Sequence, residues 1–133
     1  MKVLLSIKPE FADKIFNGSK GYEYRKVPFK RANVKTVVVY STFPVGRLIG
    51  EFEIVDVVCD DPENIWALTQ ERSGIDLEFF TDYYSGRDTA VAIKIGETTL
   101  YETPLDPLEV FNDFVAPQSF RYLTDALVCS LPA

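Results

Sequence analysis

The chain has 133 residues, a formal net charge of −6 and an apolar fraction of 47%. That length suits a single domain with an adequate core, and no apolar run reaches the roughly 20 residues of a membrane-spanning helix. Histidine is absent, which excludes the commonest general base, the commonest zinc ligand and every Ser-His or Cys-His mechanism. Any catalysis must run on Lys, Glu, Asp, Tyr, Ser or Thr. Cys59 and Cys129 stand alone, outside any metal-ligand spacing, so two buried reduced thiols and no metal are expected. The opening MKVLLSIKPE has a short apolar core and no small-residue cleavage site, which predicts a cytoplasmic protein with no signal peptide.

The charge is unevenly spread. Residues 1–47 hold ten basic and three acidic groups, leaving +7, while the remaining 86 hold four basic and seventeen acidic, leaving −13. An acidic protein is a poor candidate for tight non-specific duplex binding, which relies on many phosphate contacts. A positive cleft on an acidic body still suits a small or specific anionic ligand.

In chain order, Val3–Ile7 reads as a strand. Pro9 opens a helix whose apolar face is Phe11, Ala12, Ile15 and Phe16, ended by Asn17-Gly18. Tyr22–Arg25 is a short strand, and 27–33 a basic loop interrupted by Pro28. The spacing then predicts strands over Val34–Ser41 and Leu48–Val58 around a turn at Thr42–Gly46. Asp60-Asp61-Pro62-Glu63 starts a helix running to about Glu71, and Asp76 a second one that ends at Ser85-Gly86. Thr89–Ile95 and Thr98–Thr103 read as a hairpin about Gly96-Glu97. A short helix within Ser119–Val128, capped by Ser119, is predicted for the tail. The pattern indicates an α+β fold, a small mixed, mainly antiparallel β-barrel with inserted helices. The glycines match no nucleotide-binding fingerprint, so no cofactor is expected.

The segment Gly18-Ser19-Lys20-Gly21-Tyr22-Glu23-Tyr24-Arg25 concentrates the chemistry. On a strand, Glu23 and Arg25 share one face and Tyr22 and Tyr24 the other, with Lys20 delivered from the adjoining turn. Gly18, Lys20, Glu23 and Arg25 fill the pattern Gly-x-Lys-x-x-Glu-x-Arg. With LLSIKPEFADKIFNG before it and YSTFPVGRLIGEFEI after it, the chain resembles the ASCH domain family of the PUA-like superfamily. The resemblance covers about residues 3–123 of one domain spanning 1–133, with 124–133 as a C-terminal extension.

The resemblance implies a barrel with a cleft beside the signature, binding RNA or nucleotide-containing ligands. One group of the family deacetylates acetylated cytidine and another is associated with nuclease activity. In the deacetylating group a lysine corresponding to Lys20 works with a threonine where this chain has Glu23, so that covalent mechanism does not transfer. The group also uses a distant glutamate, for which Glu71 is the nearest candidate.

Three readings of the signature stay open. In a binding site, Arg25 pairs with a phosphate or base edge, Lys20 supplies a point charge and Glu23 accepts from an exocyclic amine. In a metal-independent hydrolase acting on an acylated nucleoside or RNA, Glu23 is a general base and Lys20 stabilises an oxyanion. As structure, Glu23 and Arg25 form a barrel-closing ion pair and Lys20 is solvated, which suits a regulatory protein-interaction module that uses the barrel as scaffold. Lys8 and Ser41 are further ligand-binding candidates. Tyr22, Tyr24, Tyr83 and Tyr84 are expected in the core, and Lys26, Lys30, Arg31 and Lys35 on a solvated loop.

Overall fold

In the computed structural model, which describes residues 1–111, 114–118, 120–123 and 131, strand β1 (Lys2–Ile7) pairs parallel to β3 (Thr36–Ser41). Helix α1 (Pro9–Phe16) and strand β2 (Tyr22–Arg25) lie between them in sequence. Strands β4 (Arg47–Asp60), β5 (Ala90–Leu105) and β6 (Phe120–Leu123) complete a six-stranded sheet in the order β2-β5-β4-β3-β1-β6. Among the described residues every ladder but β1–β3 is antiparallel. Helices α2 (Pro62–Thr69) and α3 (Leu77–Tyr83) join β4 to β5, and α4 (Pro107–Val110) follows β5.

The central strands are buried on both faces, which is why β1 and β3 read as unbroken apolar runs. Val3, Leu5 and Ile7 of β1 and Val37 and Val39 of β3 pack under Ala12 and Ile15 of α1. Leu4 and Val38 point the other way, toward Leu48, Tyr101, Phe111 and Leu123. Each fully buried side chain of this kind contributes on the order of 1.5–3 kcal/mol. A third cluster packs Tyr24, Ala90 and Ala92 against Ile65, Phe80 and Tyr84 of the α2–α3 insertion.

Four expectations are corrected. The sheet is open, not a closed barrel: among the described residues no ladder joins the edge strands β2 and β6. The outer edge of β2 is occupied by the helical insertion, whose Tyr84 hydroxyl reaches the Arg25 carbonyl at 2.8 Å. On the other side, the loop after β2 packs on β6, with Phe29 edge-on to Phe120 at 5.1 Å. Second, Gly96-Glu97 is no hairpin turn. Residues 90–105 form one strand, bulged against β4 between Phe52↔Thr98 and Ile54↔Ile95. Gly96 lacks the positive φ that a tight turn requires, and a Cβ there would meet Val55 Cγ2 at 2.8 Å. The glycine permits close approach of neighbouring strands.

Third, Phe120–Leu123 is strand, not helix, because it completes the β1 edge from Lys2↔Leu123 to Leu5↔Phe120. Ser119 and the rest of that expected helix, together with Cys129, lie outside the described residues. Fourth, Cys59 is exposed rather than buried, since it lies near the end of β4, beyond the doubly covered part of the sheet. None of the helices among the described residues is long and apolar enough to cross a membrane.

Candidate nucleotide-binding cleft

Helix α1 ends at Asn17, and Gly18 takes φ +87° to leave it. The chain then folds back, the Lys20 amide donating to the Lys14 carbonyl at 3.0 Å and the Gly21 amide to the Arg72 carbonyl at 2.8 Å. Residues 72–74, at the end of a 3₁₀ turn spanning Gln70–Arg72, clamp this segment. The Arg72 guanidinium donates to the Gly18 carbonyl at 3.1 Å and Lys14 Nζ to the Gly74 carbonyl at 2.9 Å. Gly74, at φ +69°, lies so close under Lys20 that a Cβ there would sit 2.7 Å from the lysine Cβ and Cγ.

Lys20 is therefore buried, at 2% exposure. Its ammonium donates to the Ser73 carbonyl at 2.6 Å and lies 4.8 Å from the Tyr24 ring centroid and 5.4 Å from that of Phe11. Burial lowers its pKa from 10.5 to about 8, with Glu23 pulling it back up and Lys14 adding to the fall. Aromatic faces and one carbonyl are weak compensation for lost hydration.

Glu23 is also buried, at 6% exposure. Strand alternation places it with Arg25, whose Nη1 lies 3.6 Å from Glu23 Oε2. Burial pushes the Glu23 carboxyl up from the usual range, against the pull of Lys20 and Arg25. Tyr24 faces the third cluster and meets the Thr69 hydroxyl at 2.7 Å. Thr69 spends its own proton on the Ile65 carbonyl, so Tyr24 is the donor. Burial pushes the Tyr24 phenol up to about 12.

Lys20, Glu23 and Arg25 line one cavity of about 260 Å³. Its other polar groups include Ser6 and Lys8, and its walls are Phe11, Ile75, Phe79 and Tyr83. Phe11 and Phe79 meet edge to face at 5.1 Å, with Lys8 Nζ 5.3 Å from the Phe79 centroid. The end of β1 at Ser6–Ile7 also lines the cavity.

Of the five predicted ligand-binding residues, the fold gathers Lys8, Lys20, Glu23 and Arg25 and leaves Ser41 out. Ser41 is buried at the end of β3, paired with Ile7 and Arg47. The hydroxyl on the cavity is Ser6, whose Oγ donates to the Pro117 carbonyl at 2.8 Å. Glu71 is exposed and not part of the lining. Sequence reading missed Phe11, Ile75 and Phe79 as lining; Tyr24 is in the core as expected, with Tyr83 packed against the same cluster, and both also line the cavity. The apolar face of α1 was legible, but not that Phe11 at its rim would meet α3. Among the described residues there is no group of three acidic or cysteine side chains able to hold a metal ion.

The ASCH domain family model matches residues 5–99. The chain belongs to the ASCH domain family. This ASCH domain is 27% identical over 125 residues to the "ASCH domain-containing ribonuclease" of Zymomonas mobilis, covering 92% of the chain and 84% of that protein. It is 28% identical over 123 residues to a Ureaplasma parvum protein named large ribosomal subunit protein uL22. The match covers 91% of this chain but only 39% of that relative's length. The crystal structure of ASCH from Zymomonas mobilis superposes with a TM-score of 0.89 at 24% identity, over 96% of this chain and 91% of that one. The N-terminal domain of Staphylothermus marinus McrB superposes with a TM-score of 0.59 at 11% identity, over 96% and 93%. These structures share the fold.

Proposed function

We propose that this ASCH domain binds single-stranded RNA or a modified nucleotide by taking one base into the cleft beside Lys20, Glu23 and Arg25. The observation that carries the reading is the convergence of two buried, oppositely charged groups and an arginine on an aromatic-walled cavity. At about 260 Å³ it is smaller than most pockets for drug-sized ligands, which start at roughly 300 Å³, and it suits a single base better than a helix.

Phe79 and Tyr83 offer ring faces or edges for stacking. Arg25 and Lys20 present donors to carbonyl or phosphate oxygens, and Glu23 accepts from an exocyclic amine. The Zymomonas relative named a ribonuclease supports RNA as the ligand class. Binding of a labelled single-stranded RNA, followed by fluorescence anisotropy, should weaken with salt and weaken further in Arg25→Gln. No binding at low salt to RNA or to nucleotides would remove this reading.

A second reading, hydrolysis of RNA or an acylated nucleoside, rests on one specific observation. Burial moves the Lys20 pKa down to about 8 and the Glu23 carboxyl up, bringing both toward the range where acid–base catalysis operates. Glu23 would take the proton of an attacking water or 2′-hydroxyl, Lys20 would stabilise the developing oxyanion, and the proton on Glu23 would pass to the departing 5′-oxygen or nucleoside amine as its bond to phosphorus or the acyl carbon breaks. Turnover lost in both Glu23→Gln and Lys20→Met supports this reading. Binding without turnover across RNA and acylated nucleosides leaves the domain a reader only.

A further inference from the structure

A second cavity, of about 420 Å³, opens beside the first and is lined by Lys26, Ser85, Gly86, Arg87, Asp88 and Thr89. Its character differs from that of the cleft. Its lining carries two cations, one carboxylate and two hydroxyls, and no aromatic ring. Such a set accommodates an anion and offers a base nothing to stack on. Gly86 sits at φ +76° with open space where a Cβ would be, so the turn exposes its backbone to the cavity.

Tyr83 connects the two cavities. Its ring walls the cleft, and Lys26 Nζ lies 4.7 Å from the centroid of that ring. Burial pushes the Tyr83 hydroxyl up, while the positive charges of Arg25 and Arg87 pull it back, so cations from both cavities act on this one side chain. Lys26 also follows Arg25 directly, so the strand that carries the signature delivers a cation to each cavity. Lys26 and Arg87 are exposed, and among the described residues no hydrogen bond occupies either side-chain head.

We infer that the cavity at Lys26 and Arg87 is a phosphodiester subsite, holding the RNA backbone phosphate next to the nucleotide whose base enters the cleft. The inference rests on the RNA reading above and deepens it. Tyr83 separates the base site from the phosphate site, Lys26 and Arg87 neutralise one phosphate, and Asp88 limits affinity for free anions. Because the two cations contact phosphate and not a base, they add affinity without sequence preference.

The test is anisotropy with a short fluorescein-labelled single-stranded RNA of mixed sequence, across a salt series. Lys26→Gln/Arg87→Gln should bind about tenfold more weakly, as expected for a lost charge-assisted contact. The slope of log affinity against log salt should become shallower by about 0.7, the value for one phosphate on a single strand. Asp88→Asn should bind more tightly than the unmodified protein. On the same sequence with uncharged methylphosphonate linkages, the double variant and the unmodified protein should bind alike. Unchanged affinity and slope in the double variant, with Arg25→Gln still weakening binding, overturns the subsite and leaves the RNA reading standing. Absence of RNA binding by the unmodified protein overturns both.

Discussion

Replacing Lys20 by methionine should change how stability depends on pH. The ammonium is buried and its pKa falls from 10.5 to about 8. At about 1.4 kcal/mol per unit, keeping it charged in the folded state costs about 3 kcal/mol. Between those two values the unfolded chain binds the proton more tightly than the folded one, so stability rises with pH. It is fully present above 10.5 and is lost as pH falls through about 8. From about pH 7 to about pH 9.5 the protein should therefore gain about 2 kcal/mol that Lys20→Met cannot gain. Urea unfolding followed by the fluorescence of Trp66, packed 4.8 Å from Phe80, reads this directly. With a slope of about 2 kcal/mol/M, the midpoint of the unmodified protein should rise by about 1 M relative to the variant. Leaving the Ser73 carbonyl without its donor costs the variant about 1–3 kcal/mol, but that penalty is independent of pH and cancels in the comparison. A stability difference that stays flat from pH 7 to 9.5 would refute the burial of a charged Lys20.

Other expectations follow from the same geometry. Gly74→Ala forces a side chain into the left-handed region and against Lys20, so a loss of more than about 1 kcal/mol is expected in urea unfolding; a neutral result would mean that Lys20 does not lie under that turn. Tyr24→Phe removes the hydrogen bond to Thr69 and should cost about 1 kcal/mol at neutral pH. Because the Tyr24 phenol stays protonated to about 12 in the folded state, against about 10 in the unfolded chain, stability should fall as pH rises across that interval. Tyr24→Phe should fall less steeply, and identical slopes would argue against the buried phenol. Gly50→Ala places a Cβ 2.5 Å from the Thr99 carbonyl oxygen and 2.7 Å from the Phe16 ring. It should destabilise by at least about 1–3 kcal/mol by overpacking, read as a lowered thermal midpoint.

The elements that local pattern controls were legible. Pro9 and Asn17-Gly18 bound α1, the apolar run of β3 marks a strand covered on both faces, and Asp61 and Asp76 cap α2 and α3. Local pattern misled where a tertiary contact outweighed it. Gly96 resembled a turn, but it meets Val55 across the sheet. Phe120–Leu123 could pass for one helical turn, but the edge of β1 offered it backbone partners. Of the site, the octapeptide was visible because its charges lie within eight residues and strand alternation dictates which of them share a face.

The sequence alone determined that Glu23 and Arg25 would project together, that Lys20 would stand at the same strand end, and that no histidine would serve them. Whether those charges would be solvated or buried lay beyond it, because burial depends on what the rest of the chain lays over them. The tertiary structure decided this through Ser73 and Gly74, more than fifty residues away, which cover Lys20. Phe11 and Phe79 wall the cleft from separate helices. Desolvation is a property of the assembled surroundings, and it turns an ordinary lysine and glutamate into a pair with displaced pKa values.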